Sequence, residues 1–223
     1  RLLITHKARI WSVGPPTLTQ VEIVPSDNNA PTTFNSNNAI RAIEDGSIIN
    51  ALSSNQNLLF LHKDATIYAI GGRDVDTFVI KNLRVGRGAI GPYALCSFDK
   101  IDYFVAKDGI ARFNVDMTDP LQKFISGLLR PKMEVADQTI GIGSAFTNSI
   151  AVPLVPMWGP DFGRRYILFF LNFTTGFADE VWRYDVDNQD FVQLFANNDF
   201  TFKSFVYAPE KIKTFLIETG SNA

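Results

Sequence analysis

The most recognisable motif in this chain is a glycine-rich hexapeptide, Gly86-Arg87-Gly88-Ala89-Ile90-Gly91. Its G-x-G-x-x-G spacing lets a backbone approach the pyrophosphate of a dinucleotide closely. Such a site also needs a strand before the glycines and a helix after them, whereas here Pro92 follows and the next residues are strand-like. We therefore interpret the hexapeptide as a turn between strands, and we predict no cofactor.

Four basic residues, Arg73, Lys81, Arg84 and Arg87, lie close together in a sequence whose formal net charge is −2. If the turn at Arg87 faces the axis of a channel, these side chains can contact phosphates or an acidic partner. The alternative interpretation is a solvated loop.

The acids and histidines do not predict a metal site. Asp185, Asp187 and Asp190 resemble part of a calcium loop, but no glycine stands at its turn and no glutamate closes it. His6 and His62 occupy the same place in two repeats, each before a lysine. The sequence has no third histidine and only one cysteine, so we predict no zinc site.

The sequence does not predict a catalytic constellation either. Glycoside hydrolysis needs two opposed carboxylates, and loop acids such as Asp99 and Asp102 stand in no recognisable catalytic motif. We predict no catalytic residue and no enzymatic activity.

A repeated element must position all of these residues. Short apolar runs, polar turns and alternating apolar and polar residues recur five times, which predicts five β-hairpins. Recurrence of one hairpin is typical of a radially repeated all-β fold, so we predict a β-propeller of about five blades, or part of a larger one. The hairpins are Leu2–Val13, Leu58–Ile70, Tyr103–Val115, Ile167–Val186 and Phe205–Ile217.

Two insertions interrupt the repeat in what we expect to be a single domain of residues 1–223. Residues 14–45 are rich in Pro, Asn, Thr and Ser, which predicts a surface insertion. Near residues 118–131, Asp119 and Pro120 can begin a short inserted helix. Its apolar face predicts either a contact with another subunit or a plug over the propeller. That face consists of Leu121, Phe124, Ile125 and Leu128.

The composition limits the classes of protein that this chain can represent. Of its 223 residues, 46% are hydrophobic, which excludes a disordered chain. The slightly negative net charge argues against a surface that clamps nucleic acid throughout. No apolar run reaches the roughly 20 residues of a membrane span. Arg1 leads directly into strand-like residues, so we expect the chain to be part of a longer polypeptide or a processed product.

Four stretches of the sequence carry a resemblance to a known family, namely Asp45–Gly72, Val85–Val115, Asp119–Leu129 and Asp179–Phe195. They are similar to the β-propeller virion proteins of tailed phages. Proteins of that family sit at the head-to-tail connection or the tail tip, as stabilising or nozzle-type proteins. The resemblance implies a virion protein without catalytic residues, which forms a ring around the DNA channel and seals or extends it. The implied partners are copies of itself, neighbouring virion proteins and, non-specifically, DNA.

Two other functions remain open from the sequence. A carbohydrate-binding or glycoside-processing propeller would cluster aromatic rings and carboxylates at one mouth of its tunnel. A scaffold for peptides would need a groove with exposed aromatic side chains, for which Trp158 is the turn-located tryptophan.

Overall fold

A computed structural model describes residues 2–14, 19–28, 30–42, 46–55, 57–114, 122–124, 149–156, 160–171, 180–196, 202–208 and 213–218. For 122–124, 195–196, 202–208 and 213–218 it describes the backbone alone. The regular secondary structure of the described residues is almost entirely β-strand, with two short 3-10 turns at Ser36–Asn38 and Val75–Thr77.

The first sheet is an antiparallel meander in which consecutive strands pair. Its outer side is split between two strands, because both β4 and β5 pair with β3. The strands are β1 (Leu3–His6), β2 (Arg9–Val13), β3 (Glu22–Asp27), β4 (Ala30–Phe34) and β5 (Ile40–Arg41).

Three further sheets have four antiparallel strands each, and a two-stranded sheet follows. The second sheet contains β6 (Ala51–Asn55), β7 (Leu58–His62), β8 (Ile67–Gly71) and β9 (Val79–Asn82). The third contains β10 (Leu95–Phe98), β11 (Ile101–Ala106), β12 (Gly109–Asn114) and β13 (Gln122–Phe124). The fourth contains β14 (Ile150–Leu154), β15 (Tyr166–Leu171), β16 (Glu180–Asp185) and β17 (Asp190–Ala196). The last pair is β18 (Phe202–Ala208) with β19 (Lys213–Glu218).

The first strands of successive sheets lie against one another, β1 against β6, β6 against β10 and β10 against β14. This order of contacts places the first strand of each sheet toward the centre of the fold and the fourth strand toward its periphery. Four-stranded meanders that pack in this way are the blades of a β-propeller, which confirms the predicted fold class.

Most of the described core lies between blades. Trp11 of the first blade packs in one cluster with Tyr68 of the second. Phe60 of the second blade meets Phe113 of the third, with ring centroids 5.4 Å apart. Because side chains alternate along each strand, one strand contributes to the clusters on both sides of its blade.

The predicted surface insertion at 14–45 is wrong where it includes β3. That strand is the third of its blade, and both Ile23 and Val24 are fully buried. The many Pro, Asn and Thr residues around β3 are typical of a loop, and a strand of only six residues gives too short an apolar pattern to outweigh them. The hairpin Leu2–Val13 therefore supplies the first and second strands of its blade, whereas Leu58–Ile70 supplies the second and third.

The predicted helix is also wrong at the three of its residues that the structure describes. Gln122–Phe124 form β13, which pairs antiparallel with β12. The open edge of β12 supplies ladder hydrogen bonds to this segment, and such tertiary pairing overrides a local helical pattern that Gly127 already weakens. The rest of the predicted helix lies outside the described residues.

A buried carboxylate on β3 binds the preceding turn and the neighbouring strand β5 of the first blade. Glu22 on β3 accepts hydrogen bonds from the Thr19 backbone N–H at 2.8 Å and from Arg41 Nε of β5 at 2.6 Å. Its side chain is 5% exposed. The hydrogen bond from Thr19, and to a lesser extent Arg41, hold the pKa of Glu22 below its ordinary value despite burial.

We expect Glu22 to make the stability of the fold depend on pH. A carboxylate with a lowered folded pKa stabilises the fold above its unfolded pKa, and this contribution is lost as pH falls through the folded value. Between about pH 5 and about pH 3, the thermal midpoint of wild type should therefore fall more steeply than that of Glu22→Gln. Arg41→Gln should give an intermediate slope, and identical slopes for wild type and Glu22→Gln would contradict the assignment.

Candidate functional site

A fully buried carboxylate joins the second and third blades. Asp102 on β11 accepts hydrogen bonds from Asn55 Nδ2 at 2.8 Å and from Ser97 Oγ at 2.6 Å. The Ser53 hydroxyl donates to it as well, and His62 Nε2 lies 3.3 Å from it. We call these five residues the Asp102 cluster.

The strand period explains why these residues meet. Ser53 and Asn55 are two residues apart on β6, so they share the face of the second blade that is turned toward the third. His62 ends β7 on that same face, and its ring packs edge-on against Phe104 with centroids 5.2 Å apart. Asp102 shares its face of β11 with Phe104.

The Asp102 cluster contains the residue types of a serine hydrolase but not their geometry. In such a site the histidine must take the serine proton, whereas here Ser53 donates to the carboxylate directly. The side chains of both His62 and Asp102 are 0% exposed, and His62 Nδ1 has no hydrogen-bond partner among the residues that the structure describes. The arrangement therefore holds two blades together and offers no reactive group to a substrate.

Sequence reasoning missed this cluster because it treated Asp102 as a loop acid. A signal was present, since Asp102 interrupts the apolar run from Ile101 to Val105. A charge inside a buried strand is retained only when several donors satisfy it.

The glycine-rich hexapeptide is a turn between the second and third blades, as predicted. The Gly88 N–H donates to the Asp64 carbonyl at 3.2 Å, and a Cβ on Gly88 would lie 1.9 Å from the Lys63 carbonyl oxygen. Gly86 adopts a φ of +78°, which favours glycine. Close packing against Lys63 therefore requires glycine at position 88, and the backbone conformation favours glycine at position 86.

The four predicted basic residues lie on the second blade and on the turn that follows it. Arg87 Nε donates to both carboxylate oxygens of Asp108, at 3.0 and 2.9 Å. Lys81 lies on β9, the outer strand of its blade. Arg73 lies in the loop before β9 and Arg84 in the loop after it, and both side chains are exposed. Contact of these residues with phosphates or a channel stays a prediction.

The acidic loop after β16 is an Asx turn. One Asp185 oxygen accepts the backbone N–H groups of Asp187 and Asn188, each at 2.9 Å. The other oxygen accepts Asn188 Nδ2, also at 2.9 Å. Asp187 in turn binds Arg165, whose hydrogen bonds hold the pKa of Asp187 below its ordinary value.

The predicted equivalence of the two histidines is wrong. His6 ends β1, a first strand, and its Nδ1 lies 2.8 Å from Ser54 Oγ of the second blade. His62 ends β7, a second strand. Within the described part of the chain, no three His, Cys, Asp or Glu side chains group as metal ligands would.

An open cleft of about 290 Å³ lies where the first strands of three blades begin. Leu2, Ile48 and Ile90 contribute apolar surface to it, and Gln20 and Asn50 contribute amides. Ile48 is 47% exposed. Because none of its described lining residues carries a carboxylate, this cleft does not favour the glycoside-processing alternative.

The predicted interface residues fall largely beyond what the structure describes. Leu121, Ile125 and Leu128 lie outside the described residues, and Phe124 is described only as backbone in β13. Trp158, the residue proposed for a peptide groove, is also outside them. No helix among the described residues is long and apolar enough to cross a membrane.

Comparison with known proteins identifies no family. No protein-family model matches the sequence, and no curated protein matches it significantly. The chain is similar to the extracellular domain of BT4673 from B. thetaiotaomicron, with 11% identity and a TM-score of 0.48. That similarity covers 91% of this chain but 23% of the BT4673 chain, so this chain spans about a quarter of that length.

Two other solved structures are similar at the same level. One is a chain of the nidogen/laminin complex, with 12% identity and a TM-score of 0.42 over 97% of this chain and 69% of that one. The other is the N-terminal domain of Nup159, with 10% identity and a TM-score of 0.45 over 94% of this chain and 70% of that domain. At these TM-scores we rest the fold on strand order and packing, and we infer no function from the neighbours.

Replacing Asp102 with asparagine should destabilise the fold strongly. The amide would turn an NH₂ group toward side chains that already donate, which leaves buried donors without acceptors. We expect a loss of at least about 2 kcal/mol in the free energy of unfolding, measured by urea denaturation.

The matched control for Asp102→Asn is Asp99→Asn. Asp99 lies three residues earlier in the same blade, and its side chain is 51% exposed in an ion pair with Arg165. Exposed pairs contribute less than about 1 kcal/mol. Equal urea midpoints for the two variants would show that the buried carboxylate has no special role.

Proposed function

We propose that this chain is a structural virion protein of a tailed phage, part of a ring-shaped head-to-tail or tail assembly that seals or extends the DNA channel. The proposal excludes enzymatic activity. The virion assignment is supported by the sequence resemblance, and the structural role is supported by the chemistry of the described residues.

The observation that most supports a structural role is the placement of the Asp102 cluster. Its serines, histidine and carboxylate have the residue types that catalysis would use. Ser53, Asn55 and His62 contact Asp102 across the two blades, and Ser97 contacts it within the third blade. The glycine-rich turn and the Asx turn are likewise occupied by internal hydrogen bonds. A protein built in this way acts through its surface.

An assembly function requires interface area rather than a reactive site. A stable interface buries on the order of 1,600 Å². Under the proposal, the partners are further copies of the chain and neighbouring virion proteins. Leu121, Phe124, Ile125 and Leu128 remain the proposed contact, and Arg73, Lys81, Arg84 and Arg87 remain the proposed sites of non-specific DNA contact.

The proposal is tested by the mass and shape of the purified protein. We expect native mass spectrometry and negative-stain electron microscopy to show a closed ring of several copies with a central opening. Ile125→Asp together with Leu128→Asp should leave the circular dichroism spectrum unchanged and dissociate the ring, because charges in an apolar interface oppose association.

Val79→Asp is the matched control for the interface variant. Val79 is 67% exposed on the outer strand β9, so the same change there should leave the ring intact. A monomer at every concentration tested, or a ring that survives the double substitution, would overturn the proposed assembly.

A further inference from the structure

The contact between the first and second blades contains a buried histidine. His6, which ends β1, is 5% exposed, and its Nδ1 lies 2.8 Å from Ser54 Oγ on β6 of the second blade. Its ring meets the ring of Trp11 edge-on, with centroids 6.5 Å apart. Trp11 also packs against Phe78, directly before β9 of the second blade, at 4.9 Å between ring centroids. His6 therefore lies where the two blades touch.

Two positive charges flank this histidine. Lys7 is the next residue, and its Nζ donates to the Gly72 carbonyl of the second blade. Arg9 lies directly opposite His6 in the ladder of β1 with β2, so both side chains leave the same face of the sheet. Arg9 is 6% exposed, and its Nη1 donates to the Ser26 carbonyl at 2.6 Å. These acceptors are uncharged, so neither hydrogen bond cancels the positive charge of its donor.

No carboxylate among the described residues lies within ion-pair distance of His6. Strand β6 carries no charged residue. The segment after β8, which receives Lys7, carries three exposed charged residues that make no ion pair with His6, namely Arg73, Asp74 and Asp76. His62 differs, because the Asp102 carboxylate lies 3.3 Å from its Nε2. A protonated His6 would therefore face two cations without such a counter-charge.

The surroundings of His6 favour its neutral form. Burial, and secondly the charge of Lys7, hold the pKa of His6 below its ordinary value. A histidine with a lowered folded pKa takes up a proton more readily once its surroundings open. Its contribution to the contact is therefore complete above about pH 6.5, and it is lost as the pH falls from there towards the folded pKa.

We propose that His6 is a pH-sensitive switch in the contact between the first and second blades, and that its protonation opens this contact. The neutral ring joins β1 to β6 through Ser54. Protonation adds a third positive charge beside Lys7 and Arg9, at a place where burial leaves it poorly solvated. Histidine changes its charge between pH 5 and 8, so mild acidification is the signal. This inference does not depend on the proposed virion role.

Hydrogen–deuterium exchange of the intact chain at about pH 7.5 and about pH 5.5 tests the switch. Labelling times are scaled for the intrinsic effect of pH on exchange. We expect the amides of β1 and β2 to lose protection severalfold at the lower pH, because a pKa lowered by one unit changes the opening equilibrium about tenfold. The amides of β11 and β12 in the third blade should change much less.

His6→Gln is the decisive variant, because glutamine can still hydrogen-bond to Ser54 but does not titrate. Its β1 and β2 amides should have equal protection at both pH values. Lys7→Gln removes one flanking cation and should reduce the loss of protection at low pH. The matched control is Lys100→Gln. Lys100 also lies in a two-residue hairpin turn with positive φ, but in the third blade, so the response should be unchanged.

Proton NMR of the two histidine rings gives a second readout, which a purely structural role would not change. The ring signal that disappears in His6→Gln should titrate with a midpoint below about pH 6.5, and Lys7→Gln should raise that midpoint. If His6→Gln fails to fold, the ring whose midpoint responds to Lys7→Gln identifies His6. The proposal is overturned if wild type keeps equal protection at both pH values, if His6→Gln loses protection as wild type does, or if the His6 midpoint is not lowered.

Discussion

The structure depends on the requirement that polar groups trapped between blades find partners there. Blades of a propeller bury both faces, so any charge on those faces must be satisfied by the neighbouring blade. Asp102 meets this requirement with donors from three strands, β6 and β7 of the second blade and β10 of the third. The apolar clusters supply most of the driving force, and this carboxylate helps to fix how the two blades align.

Exposed polar contacts also connect neighbouring blades. Lys7 Nζ in the first blade donates to the Gly72 carbonyl in the second at 2.7 Å. Arg165, which precedes β15 in the fourth blade, bridges Asp99 of the third blade and Asp187 of its own. These exposed pairs are screened by solvent and contribute little each, so the alignment of the blades rests mainly on their buried contacts.

The hairpins at Leu58–Ile70 and Tyr103–Val115 could be predicted because a period of two is a local property of a half-buried strand. The position of the first hairpin within its blade could not be predicted. Leu2–Val13 shows the same period of two whether it forms the first and second strands of a blade or the second and third. The pairing of Gln122–Phe124 with β12 depends on a neighbour that local helical spacing does not reveal. The Asp102 cluster escaped prediction for the same reason, since its members are distant in sequence and meet only after the blades pack.

The central claim is that Asp102 couples two blades energetically, and a double-mutant cycle between Asn55→Ala and Asp102→Ala tests it most directly. The two residues lie on different blades and share one hydrogen bond. We expect the free energies of unfolding to be non-additive by about 1 kcal/mol or more. Additivity within about 0.3 kcal/mol would contradict the account.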